Sequence, residues 1–76
     1  MTKFKAIANR HLNIARKFID VAPAIAEKHQ LAAMKFFDVH KHYKAGNYEA
    51  AQKAHWVAKD LGKYANKMAR KYMKGS

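Results

Sequence analysis

Five histidines punctuate a chain of 76 residues that has no cysteine, one tryptophan and a formal charge of +11. Imidazole can ligate a metal, carry a proton or sense pH near neutrality, so the placement of these rings decides which chemistry is open. Wound at about 100° per residue, Phe4, Ile7, Ala8, His11, Ile14, Ala15, Phe18 and Ala22 share one face. A second stripe gathers Ile25, Ala26, His29, Ala32, Ala33, Phe36, His40 and Tyr43. The third holds Tyr48, Ala51, Ala54, His55, Ala58, Leu61, Ala65, Ala69 and Tyr72. With antiparallel helices rising 1.5 Å per residue, His11, His55 and His40 are expected at roughly 16, 21 and 25 Å above a turn at Pro23, and His29 at roughly 9 Å.

Three imidazoles converging in a helical interior admit zinc or another borderline metal, which makes His11, His40 and His55 the candidate ligands. The spacing argues otherwise. There is no His-Glu-x-x-His, no Glu-x-x-His of the di-iron bundles, and no carboxylate on an inner stripe. The favoured reading is that these rings fill aromatic-sized space and bond to one another, to tyrosine hydroxyls or to water, with no metal or other cofactor. Several imidazoles inside an already cationic protein also predict loss of stability in acid.

A second constellation lies on the opposite side of the third segment. Trp56 points ~160° away from Ala58 in ideal helix geometry. Around it stand Lys53, Lys63, Lys67, Arg70, Lys71 and Lys74, interrupted by Glu49 and Asp60. Cations at this spacing can track phosphates, and an exposed indole can stack on a base or anchor a protein contact. Leu31 and Met34, one turn apart on the outer side of the second segment, form a smaller apolar patch that would suit a homodimer seam. Catalysis lacks its parts: the only serine is Ser76, the only threonine is Thr2, and no phosphate-cradling glycine loop occurs. The chain reads as a protein without enzymatic activity.

The elements that position these residues follow from two breaks. Pro23 suits the first turn of a helix and disfavours helical geometry just before it, so helix 1 is expected over 3–21 and helix 2 from 23. Ala45-Gly46-Asn47 supplies a residue for a left-handed helix end and a capping side chain, giving helix 2 over 23–45 and helix 3 over 48–73. Gly62 interrupts the apolar side of helix 3 at a cost of roughly 1 kcal/mol relative to alanine, which points to close approach by helix 1 or a partner chain. The fold class is all-α, an up-down-up three-helix bundle forming a single helical domain over 1–76.

A chain this short buries only about 60% of its unfolded surface, and much of its apolar content is alanine, so the core should be thin and self-association into a homo-oligomer would add to it. No stretch approaches the ~20 apolar residues of a membrane span, and the N-terminal residues lack a signal-peptide pattern, so a cytoplasmic protein is expected. Sixteen Lys and Arg against five Asp and Glu favour acidic partners.

Tyr43-Lys44-Ala45-Gly46-Asn47-Tyr48-Glu49-Ala50-Ala51, followed by His55 and Ala58, resembles the turn and second helix of a tetratricopeptide repeat. Lys35 and Val39 depart from that pattern, standing where the family prefers a large aromatic and a small residue. The wider stretch 26–69, with His29, Ala32-Ala33, His42-Tyr43, Gly46 and Ala50-Ala51, is similar to small bacterial Ala/His-rich helical-hairpin proteins of unknown function. Phe36-Phe37 and Tyr48 stand where histidine is common in that group. Both resemblances imply a helical hairpin and transfer no site. The residues favour association with nucleic acid, with little sequence preference, through the cationic face of helix 3. The alternative is a small adaptor or inhibitor docking on an acidic protein.

Overall fold

The computed structural model describes residues 3–75. Three helices follow one another: α1 (Lys3–Phe18), α2 (Pro23–Lys44) and α3 (Tyr48–Gly75). Among the described residues there is no strand. The up-down-up order expected from the short connections holds, in a body of 44 × 17 × 15 Å. At 1.5 Å per residue α3 is about 42 Å long, so this one helix runs the length of the molecule.

Each break has a local cause. Helix α1 stops three residues earlier than expected, at Phe18, because β-branched Ile19 and Val21 and the short acid Asp20 are poor helix formers ahead of Pro23. The amides of Val21 and Ala22 donate back to the Phe18 carbonyl at 3.2 and 2.7 Å, turning the chain. Pro23 then occupies the first turn of α2, with the Ala22 carbonyl accepting from the amides of Ile25 and Ala26. At the other end Gly46 has φ +79°. The Asn47 amide donates to the His42 carbonyl at 2.8 Å and the Gly46 amide to the Tyr43 carbonyl at 3.1 Å. This is a Schellman closure, which glycine permits because it has no Cβ to clash in the left-handed region.

Helix α2 is the middle of the structure, packed by α1 and by α3. It therefore buries more than one stripe: Ile25, Ala26, His29, Ala32, Ala33, Phe36 and Val39 all leave solvent. Val39, which no single stripe includes, is fully buried for this reason. The core cluster is Phe4, Ala8, Ala33, Phe36, Val39 and Ala58, with Ile7, Leu12, Phe37, Tyr43 and Ala54 packed around it. Alanines at 8, 26, 33, 51, 58 and 65 are wholly buried, so the helices approach closely, as the composition implies. Phe4 is the aromatic keystone, stacked on Tyr43 at 5.4 Å and meeting His55 edge-on at 5.0 Å.

Two members of the third stripe are corrected. Tyr48 is 63% exposed and Tyr72 is 42% exposed. Both lie near the ends of α3, Tyr48 opening the helix and Tyr72 in a last part longer than its neighbours cover. Of the smaller patch, Met34 is exposed while Leu31 is half-buried.

Candidate functional site

The histidines divide differently from the expected heights. His11 on α1 and His29 on α2 bring their Nδ1 atoms to 2.8 Å, a hydrogen bond between two buried rings. His11 also stacks on Phe36, with ring centroids 5.7 Å apart and planes within 9°. His55 instead lies against Phe4 and Phe36. His40 is half-buried. The convergence of His11, His40 and His55 is therefore not realised, and among the described residues no group of three His, Cys, Asp or Glu could hold a metal ion.

The reason is the early end of α1. Counting 19–21 as helix lifted His11 by several ångströms; measured from Phe18, His11 lies seven residues into its helix, roughly 10 Å. His29 lies six residues into α2, roughly 9 Å. Equal heights make them partners.

Gly62 completes this corner. A Cβ built there would stand 3.3 Å from His11 Nε2 and 3.6 Å from Phe36 Cε2. The missing side chain on α3 thus leaves space for the His11 ring and the edge of Phe36, so side chains of α1 and α2 fill the place where close approach of helix 1 or a partner chain was expected.

Burial lowers the pKa of His11 below its ordinary value, and the neighbouring Arg10 charge lowers it further. Burial likewise lowers His29; a charge on His11 adds to the effect, and the Ala65 backbone opposes it by favouring the protonated ring. Both rings are held toward the neutral state, in which one Nδ1 donates and the other accepts. The Nδ1 of His40 is buried without a hydrogen-bond partner.

Compared with known protein families, with curated proteins and with solved structures, the chain finds no match. Function has to be argued from its surfaces and cavities.

On the outer side of α3, Trp56 is 76% exposed. Lys53, Lys63, Lys67, Arg70, Lys71 and Lys74 are exposed on the same helix. Opposite them, Ala51, Ala58, Gly62, Ala65 and Ala69 face the core. Lys67, Arg70, Lys71 and Lys74 line one shallow depression of about 310 Å³, so four of the six cations named from the sequence share a concave patch. Val57 and Tyr64 are also exposed. The Lys28 Nζ stands over the Tyr64 ring at 5.8 Å, which ties α2 to this part of α3.

A larger groove opens between α1 and α3. Its volume is about 610 Å³, and it is lined by Ile14, Lys17 and Phe18 of α1, His29 of α2, and Asn66, Ala69, Arg70 and Met73 of α3. The sequence reading missed it, because it depends on how far apart two helices stand after both have packed on a third. Among the described residues no helix is long and apolar enough to cross a membrane. Thr2 and Ser76 lie outside the described residues.

Proposed function

We propose that this protein binds nucleic acid without enzymatic action and with little sequence preference, through the outer face of α3. One observation carries the reading: an indole that is 76% exposed on the side of the helix that also displays six exposed cations. A buried-face alternative would have hidden the tryptophan, the most costly side chain to leave in water. From Trp56 to Lys74 the face extends roughly 27 Å, enough to meet several phosphates. Lysine and arginine would release counterions from the backbone, and Trp56 would stack on a base or wedge at a groove. Such partners are met in the cytoplasm, the compartment this reading assumes.

Titration with a generic duplex and a generic single strand, followed by Trp56 fluorescence, tests the proposal. If about five phosphates are neutralised, the log–log salt slope is about −4.5, so affinity should drop roughly 500-fold between 50 and 200 mM salt. An unchanged Trp56 signal, with no binding by a second method, would discard it.

Val57 and Tyr64, exposed near Trp56, favour a second reading, docking on an acidic protein surface with Trp56 as anchor. Trp56→Ala separates the two: it should abolish protein docking and only weaken nucleic-acid binding.

A further inference from the structure

One end of the molecule gathers large apolar side chains that the core does not use. Tyr72 of α3 meets Phe18, the last residue of α1, edge-on at 5.8 Å, so the end of α3 lies level with the α1–α2 turn. In that turn Ile19 is 47% exposed and Val21 is 61% exposed. Tyr72 and Met73, across from them on α3, are exposed as well. Ile19 and Val21 belong to no inner stripe, so holding them in water adds nothing to the packing of the bundle. Helix α3 continues from Tyr72 to Gly75, roughly 5 Å past its level with Phe18, which makes this end convex.

The charges around the same end are nearly all positive. Arg16 and Lys17 stand in the last turn of α1, and Arg70, Lys71 and Lys74 are exposed in the last turns of α3. The first turn of α2 carries no acid, and Asp20 is the one carboxylate of the α1–α2 turn. An apolar tip ringed by cations restricts what can cover it. A second copy would set these cations against their own kind. A protein partner would need an acidic socket moulded to a projecting, uneven end, whereas a fluid bilayer yields to that shape and supplies anionic headgroups around it. Tyrosine at the edge of the tip suits the headgroup level.

We propose that this end docks on the surface of an anionic phospholipid bilayer, with Ile19 and Val21 entering the interface and Arg16, Lys17, Arg70, Lys71 and Lys74 meeting the headgroups. The aliphatic side chains gain by leaving water, and each cation held near an anionic leaflet raises affinity about fivefold.

The test is co-sedimentation of the full chain with large vesicles of phosphatidylglycerol and phosphatidylcholine in equal parts, followed by fluorescence quenching with lipids brominated along the acyl chain. Trp56 reports orientation, because it lies roughly 24 Å up α3 from Tyr72 while docking of this kind reaches only about 5–10 Å into the interface. With the tip docked, Trp56 should keep its emission, and the indole introduced by Val21→Trp in a Trp56→Phe chain should shift to the blue and be quenched. Vesicles of phosphatidylcholine alone should bind at least tenfold more weakly. Ile19→Ser together with Val21→Ser should weaken binding to the mixed vesicles at least tenfold, while Val57→Ser, at an exposed aliphatic position away from this end, should leave it unaltered. Quenching of Trp56 as strong as that of the Val21→Trp indole would mean that the α3 outer face adsorbs by charge and would overturn the proposal. So would undiminished binding by the Ile19 and Val21 double variant, or no binding to the mixed vesicles. Ile19 and Val21 lie outside the α3 outer face, so the double variant should bind nucleic acid as the wild type does, and the two readings fail separately.

Discussion

Replacing His11 and His29 together by leucine should flatten the response of stability to acid, while each single replacement should be harmful at every pH. In the folded chain both rings have pKa values lowered by burial, whereas in the unfolded chain they titrate near 6.5. Between these limits the unfolded state binds more protons, so stability is complete above about pH 6.5 and is lost as pH falls through the lowered folded values. Each proton bound only by the unfolded chain contributes about 1.4 kcal/mol per pH unit to the slope, so the pair sets a ceiling of about 2.7 kcal/mol per unit. For a domain of this size 1 kcal/mol corresponds to about 4–8 °C in Tm. The second proton is the harder to add, since two protonated Nδ1 atoms cannot remain 2.8 Å apart as donor and acceptor. Removing one ring leaves the other's Nδ1 buried and unpaired, a cost of about 1–3 kcal/mol; removing both deletes the need. Thermal unfolding followed by circular dichroism between pH 8 and 5, for the wild type, both single variants and the double variant, measures all of this. The difference between wild type and double variant cancels the other histidines. Parallel pH profiles for these two proteins, or a wild type that gains stability in acid, would refute the reasoning.

Other substitutions probe the packing and the surface. Gly62→Leu should destabilise by about 1–3 kcal/mol in chemical unfolding, because His11 is fixed by His29 on one side and Phe36 on the other and cannot yield space. Phe4→Ala should cost about 3–5 kcal/mol, most of what a domain this small possesses, so the variant is expected to be largely unfolded by circular dichroism at 37 °C. Gly46→Ala should lose about 1–2 kcal/mol, since φ of +79° places a Cβ against its own backbone; equal melting temperatures would contradict the Schellman closure. Changing Lys63 and Lys67 together to alanine should reduce the nucleic-acid salt slope by nearly two, read from affinities at several salt concentrations.

Much of the architecture was legible in the residues. Pro23 and Gly46 marked the helix boundaries to within a few positions, because each acts through its own backbone and needs no partner. Periodicity identified Phe4, Ala8, His11 and Ala15 as the inner face of α1 for the same local reason. What failed was the level at which side chains on different helices meet. Treating 19–21 as helix displaced His11 and paired it with the wrong rings, although Ile19, Asp20 and Val21 were already poor material for a helix end. Val39 went unassigned because a middle helix buries two sides, which a single stripe cannot express. The cationic side of α3 was visible as a pattern, and the exposure of Trp56 agrees with it. The α1–α3 groove left no comparable trace.

The central position of α2 has a kinetic consequence. Each helix rests chiefly on the one before or after it in the chain, so most contacts that define the fold lie between chain-adjacent helices. Proteins built this way cross to the native state in microseconds to milliseconds, without waiting for distant segments to meet. The α2–α3 hairpin, closed by Gly46, can assemble as one step and offer α2's remaining side to α1 as another. Assembly from either terminus is then open to this chain, and the His11–His29 bond records only that α1 has docked on α2.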